Sequence, residues 1–354
     1  MSDLCRSAQL AVALLAAGLL GGCQPPPPAP EANVPDAAQA LPPPALGAFS
    51  HVTVGTADLD DALTLWRDQF GLAVVATRNG PDPELARLWG IAPGDFSRQV
   101  LLRTPGLQSG ALHLVEFATP GTPVREGAQV FDRVPKNLDV YARDLPARYE
   151  ELRAAGLEFR APWVEMPAPG GLTFREVQMP GHDETNIVLM EILDTNYRHS
   201  PAGYAGIGPL IIVVGDAETE TAFYQDVLGL ELVMQDLLAG PEIERMVGLP
   251  AGAGIDFRVL GAEADPMGRI EVIEYQRTGG ADLFARARPP ATGTLHAGWQ
   301  VASLEPLREQ LAARGIDYAA FDTVDAVYGS GPVIVFRSPE GFRIEVQEIA
   351  GAGS

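Results

Sequence analysis

The chain has 354 residues, 46% of them hydrophobic and 20% charged, which is enough for one large globular domain or two smaller ones. Its 46 acidic residues against 25 basic ones leave a formal net charge of −21. That balance excludes nucleic acid as a partner, and excludes adhesion to anionic lipid through protein charge, since both need Lys/Arg patches.

Any membrane attachment must therefore come by another route, and the N-terminus supplies one. Arg6 precedes an apolar run from Leu10 to Leu20, too short to span a bilayer but suited to the core of a signal peptide. The run ends in Leu20-Gly21-Gly22-Cys23, which resembles the bacterial lipobox. The resemblance implies a signal peptide over residues 1–22 and lipidation of Cys23, with outer-membrane sorting because Gln24 rather than Asp follows the cysteine. The expected location is the cell envelope, with the protein facing the periplasm and held by lipid alone. Cys5 would leave with the signal peptide, so no thiol remains for a disulfide or a nucleophile. Residues 23–46 are rich in Pro and Ala and read as an extended tether of ~3 Å per residue.

The remainder repeats itself. Leu65-Trp66-Arg67-Asp68-Gln69-Phe70-Gly71-Leu72 returns as Phe223-Tyr224-Gln225-Asp226-Val227-Leu228-Gly229-Leu230, and Glu116 returns as Glu274 at the same separation. Glu150–Leu157 and Glu309–Ile316 match in the same way, displaced by one residue. Each half divides again into a strand, a short amphipathic helix closed by a glycine, and further strands. The four modules span about 49–121, 136–195, 207–277 and 293–350. Gly71, Gly156, Gly229 and Gly315 follow their helices, where a left-handed residue is expected. By halves the chain divides into a first domain over 47–197 (modules one and two) and a second over 206–350 (modules three and four).

Phe49-Ser50-His51-Val52-Thr53-Val54, followed by Asp58-Leu59 and Phe70-Gly71-Leu72, resembles the opening signature of the vicinal oxygen chelate superfamily. Ser338-Pro339-Glu340-Gly341-Phe342-Arg343-Ile344-Glu345 resembles its closing one. The superfamily includes glyoxalase I, epimerases, extradiol dioxygenases and fosfomycin and bleomycin resistance proteins. The resemblance implies an α+β fold of four βαβββ modules forming two glyoxalase-like half-open barrels, with metal ligands on the first and last strands of each module. Such motifs specify a fold better than a reaction.

Aligning first strands puts His51, Asn137, Pro209 and His296 at one position. The last strands offer Glu116, Glu191, Glu274 and Glu345, each an acid inside an apolar run. If neighbouring modules pair, each barrel lacks one His. If the outer modules pair, one barrel holds His51, Glu116, His296 and Glu345, and the other holds the degenerate set Asn137, Glu191, Pro209 and Glu274. The confinement of both His to the outer modules favours one–four pairing. Two imidazoles and two carboxylates suit one divalent ion, whether Zn, Ni, Co, Mn or Fe(II). By the resemblance, Glu345 is the candidate base and Glu116 its partner.

His113 is out of phase with Glu116 in a period-two strand and is set aside as a ligand, as are His182 and His199 in loop-like stretches. The expected function is a membrane-anchored, metal-dependent lyase or isomerase acting on a small oxygen-bearing substrate by proton transfer, and is compatible with a monomer. A dioxygenase ranks lower, because the family's dioxygenases use two His and one Glu. The alternative is a metal-free small-molecule binding or sequestration protein. A structural envelope protein of degenerate fold comes third.

Overall fold

The structure is a computed structural model describing residues 44–167 and 171–350. The chain divides into two units, Met1–Ala40 and Leu41–Ser354. The signal peptide over 1–22, the lipidated Cys23 and the tether up to residue 43 lie outside the described residues. Among the described residues, no helix is long and apolar enough to cross a membrane.

Module one runs β1 (His51–Thr56), α1 (Leu59–Leu63), β2 (Ala73–Asn79), α2 (Pro83–Trp89), β3 (Phe96–Arg103) and β4 (Ala111–Phe117). Module two supplies β5 (Pro135–Ala142), α3 (Leu145–Ala154), β6 (Val164–Pro167), β7 (Thr173–Pro180) and β8 (Asn186–Ile192). Module three supplies β9 (Tyr204–Val214), α4 (Ala217–Leu228), β10 (Glu231–Ala239), α5 (Pro241–Val247), β11 (Gly254–Gly261) and β12 (Arg269–Gln276). Module four closes the chain with β13 (Gly293–Val301), α6 (Glu305–Ala313), β14 (Ala319–Ala326), β15 (Gly329–Arg337) and β16 (Arg343–Glu348). Gly71, Gly156, Gly229 and Gly315 all take the positive φ that ends their helices, as the sequence predicts.

Two curled eight-stranded sheets result. One has the order β14-β15-β16-β13-β1-β4-β3-β2, the other β10-β11-β12-β9-β5-β8-β7-β6. Modules one and four therefore share a sheet, and so do modules two and three, as the placement of the two His suggests. At each centre, the first strands of the two modules run antiparallel, β1 against β13 and β5 against β9, and each is flanked in parallel by the last strand of its own module. The halves 47–197 and 206–350 each donate one module to each sheet.

Strand alternation sorts the side chains into two sets. Val52, Val54, Leu138, Val140, Leu210, Ile212, Ala297 and Trp299 join the helices in one continuous core, with Trp66 and Phe70 fully buried in it. The intervening residues face the two concave chambers. One chamber holds an apolar cluster around Trp89, Phe96 and Phe117, and the other a cluster around Met246, Phe257 and Tyr275.

The recurring acid has a different purpose from the one its pattern suggests. Pairing sets Thr56 opposite Glu116, Val214 opposite Glu274 and Val301 opposite Glu348. The fourth member of the series is thus Glu348, three residues beyond Glu345. Each of these carboxylates accepts from a backbone N–H at the start of its own module's helix. Glu116 takes Leu59 N at 3.0 Å, Glu191 takes Asp144 N and Leu145 N at 2.9 and 3.1 Å, Glu274 takes Ala217 N at 3.0 Å, and Glu348 takes Leu304 N at 2.9 Å. The orphan donors and the positive end of a helix are satisfied together by an anion there. The four acids serve four separate helix ends, so Glu191 and Glu274 form no second ligand set.

Candidate functional site

His51, on β1, and His296, on β13, are buried within the sheet shared by modules one and four, and Glu345 on β16 is buried beside them. Glu116 is not with them. It lies on the opposite face of the sheet, where it accepts from Ser97 Oγ at 2.8 Å and from Arg98 Nε and Nη2, both at 2.8 Å, besides capping α1. The Arg98 guanidinium, with the Leu59 and Ser97 donors, holds its carboxyl down at about 2. The expectation that Glu116 joins the two His therefore fails on strand parity. Glu116 and Glu345 occupy positions three apart in register, and an odd offset reverses the face.

The residue of β4 that does face the chamber is His113, which the sequence reading set aside. Its parity relative to Glu116 is as expected, but Glu116 is the one that points away. The His113 and His51 rings lie 6.0 Å apart, centre to centre, near perpendicular.

Local bonding fixes the form of each imidazole. Ser50 Oγ donates its one hydrogen to Gly298 O at 2.9 Å and lies 2.8 Å from His51 Nδ1. Nδ1 must then be the protonated nitrogen of His51, leaving a bare lone pair on Nε2. Nε2 is buried and has no partner. Burial holds this imidazole neutral, lowering its pKa to about 3. The ring fits because residue 298 is glycine: a Cβ there would press on Cε1 and come within 2.6 Å of Nε2.

His113 is held differently. Gln99 Nε2 donates to buried Asp82, so Gln99 Oε1 accepts from His113 Nε2 at 3.2 Å, and Thr53 Oγ1 stands 3.3 Å from Nδ1. Both of its nitrogens are engaged.

On His296 neither ring nitrogen has a hydrogen-bond partner, although Nε2 lies 3.4 Å from Glu345 Oε1. That oxygen accepts from Trp89 Nε1 at 3.1 Å and from Arg343 Nε at 2.7 Å, while Oε2 is buried without a partner. Trp89 arrives from the end of α2, the short helix between β2 and β3. Its ring lies 5.4 Å from that of His296, edge-on, and Tyr328 stacks on His51 at 4.0 Å. These two rings close the chamber over the cluster.

The unpartnered atoms of the cluster are thus Nε2 of His51, both nitrogens of His296, Oε2 of Glu345 and Oη of Tyr328. Each such atom costs about 1–3 kcal/mol when it is buried without a bond. A divalent ion would take one lone pair from each of His51, His296 and Glu345 and leave the second nitrogen of His296 unbonded, so in donor type the set suits such an ion. Among the described residues, no three His, Cys, Asp or Glu side chains enclose a common point, and Oε1 of Glu345 is held by Trp89 and Arg343. The matching positions in the other sheet are Asn137, Val188, Pro209 and Glu271, a set with no imidazole. Asn137 Oδ1 there is already bonded to Asn186 Nδ2.

Comparison with known proteins agrees with this architecture. Residues 206–346 match the family described as Glyoxalase/Bleomycin resistance protein/Dioxygenase superfamily. No curated protein matches the chain. Among solved structures, a putative dioxygenase from Bacillus subtilis subsp. subtilis str. 168 is similar with a TM-score of 0.56 at 13% identity, over 86% of each chain. Glyoxalase I from Zea mays is similar with a TM-score of 0.56 at 14% identity, over 85% of this chain and 92% of that one. At such identities the likeness is one of fold. The family match thus covers the second half of the chain, and the likeness to the solved structures extends the fold over the first half as well.

Proposed function

We propose that the chain is an envelope-anchored enzyme that holds one divalent ion at His51, His296 and Glu345 and acts on a small oxygen-bearing substrate. The observation that carries this reading is the group of unpartnered buried atoms on those three residues. Two imidazoles and one carboxylate form the donor set of non-haem Fe(II) oxygenases, although Zn, Ni, Co or Mn also accept such donors. When bound, the ion would supply Lewis acidity and, if redox-active, oxygen chemistry.

This ligand set reorders the candidate reactions. The lyase or isomerase reading leaned on a second carboxylate, and Glu116 is committed to α1 and Arg98. What remains, two His and one Glu, is the combination expected of a dioxygenase. The protein's own residues have distinct tasks in this reading. Ser50 sets the His51 tautomer, and Trp89 and Arg343 hold Glu345 by one oxygen. Gln99 and Thr53 fix a neutral His113 next to His51. Trp89 and Tyr328 pack against the His296 and His51 rings and fix their orientation.

Metal analysis of the purified chain after anaerobic loading tests the proposal. One ion per chain is expected, lost in His51→Ala and in Glu345→Gln and kept in Glu116→Gln. A chain that takes up no stoichiometric metal at neutral pH, or takes it up equally as the His51→Ala/His296→Ala double variant, would leave the metal-free binding reading in the lead.

A further inference from the structure

The chamber of modules two and three has no imidazole and is lined by apolar and acidic side chains. A cavity of about 110 Å³ that opens to solvent is lined by residues of both modules. Its walls are largely apolar, with Met190, Met234, Met246 and Phe257 among them. Set into these walls are three carboxyl groups on three strands: Asp139 of β5, Glu176 of β7 and Glu271 of β12. Glu271 stands at the position that carries Glu345 in the other sheet. Asp139 is only 2% exposed, and its Oδ1 has no hydrogen-bond partner.

Lys136 is the cation within electrostatic reach of all three acids, and Gln178 Nε2 donates to Glu176 Oε1 at 3.2 Å, while Asp139 Oδ1 is left without a donor. Arg269, the one basic residue of the lining, donates to the carbonyls of Asp265, Ala262 and Glu263. Lys136 is not a wall residue, and its ammonium donates to Tyr275 Oη at 2.5 Å. Burial pushes all three carboxyls up, and the neighbouring acids push Asp139 and Glu271 up further.

We propose that this cavity is a second, metal-free site that binds an organic cation with an apolar body, its amine meeting Asp139 and Glu271 while its body lies against the methionines and Phe257. The physical case is complementarity. An ammonium group brings the charge and the donors that a group of buried acids lacks. Thioether side chains adapt to irregular apolar shapes. A neutral alcohol would gain little beyond the apolar contact, and a carboxylate would add a further anion where burial already disfavours the anionic form. The site is separate from the His51 cluster, so it stands or falls independently of metal binding.

The test is calorimetric titration of the full chain carrying Cys23→Ser, which dispenses with detergent, using octylammonium, octanol and octanoate without added metal. The expected result is one octylammonium per chain, bound at least ten times more tightly than octanol, with octanoate weaker still. Asp139→Asn and Glu271→Gln should each weaken octylammonium at least tenfold and leave octanol unchanged. Should Asp139→Asn fail to fold, Glu271→Gln gives the same reading from the far module. Equal binding of octanol and octylammonium, preference for octanoate, indifference to both substitutions, or no binding of any probe would each overturn the proposal.

Discussion

Glu116→Gln separates a structural acid from a ligand, because the sequence pattern and the strand register assign this residue opposite roles. The glutamine keeps the shape and can still accept from Leu59 N, but it loses the charge that faces Arg98. Folding lowers the Glu116 pKa from 4.5 to about 2. At ~1.4 kcal/mol per pKa unit, this corresponds to roughly 3 kcal/mol. Arg98 is 34% exposed, and screening by solvent reduces the figure to about 1–2 kcal/mol. A depressed carboxylate stabilises the fold fully above its unfolded pKa and ceases to do so as pH falls through the folded value. The gap in urea stability between parent and variant should therefore be full above pH 4.5 and close as pH falls toward about 2. Trp66, buried against α1, provides the fluorescence signal, and metal uptake should match that of the parent. A variant as stable as the parent at neutral pH, or one that loses metal as His51→Ala does, would refute the assignment.

Gly298→Ala should displace the His51 ring, costing about 1–3 kcal/mol of stability as an overpacked core does. It should also lower metal affinity at least tenfold by equilibrium dialysis, and unchanged affinity would show that the ring's seat against β13 is unimportant. Glu348→Ala should cost about 0.5–2 kcal/mol in urea melts, as the loss of a helix cap does, with metal uptake intact; a loss of uptake instead would put Glu348 in the site. Cys23→Ser should abolish lipid labelling and release the protein from membranes, and normal fractionation with unchanged labelling would remove the anchor from the proposal.

The repeats, the four modules and the one–four pairing were legible because they rest on periodicities that survive duplication. So did the first-strand series His51, Asn137, Pro209, His296, which holds residue by residue. The acid series slipped in one module only, because β16 carries two glutamates, Glu345 and Glu348, on opposite faces. Glu348 would also have brought the spacing in module four closer to that in module two, a signal present in the sequence. Trp89 was not recoverable: it reaches Glu345 from a helix more than two hundred residues away in sequence, and no periodicity encodes that closure. The acid-lined cavity left a trace, since Asn137, Asp139 and Tyr141 alternate along β5 as Glu271, Ile273 and Tyr275 do along β12. Such alternation identifies a face, but without the sheet order it does not reveal that the two faces enclose the same space.

The two faces of these sheets have diverged differently within one chain, and that difference says where function resides. On the helix side all four modules carry the same solution, a glutamate on the last strand that satisfies the start of the module's helix. Every copy has the same helix end to stabilise, so the same residue recurs. On the concave side, the first-strand position reads His, Asn, Pro, His, and the last-strand position reads His, Val, Glu, Glu through the modules. Backbone geometry does not require that variety, because the strand pairing is equivalent in both sheets. What varies is the chemistry presented to each chamber: nitrogen donors and one carboxylate in the first, carboxyl groups among apolar walls in the second. A scaffold repeated for stability has in this way been given two unlike interiors. Exchanging them would test this directly. Replacing Asn137 and Pro209 with His should leave the fold intact, because both positions face the second chamber rather than the shared core, and should create metal affinity where none existed. Failure of that double variant to fold would mean that the concave positions are structural after all.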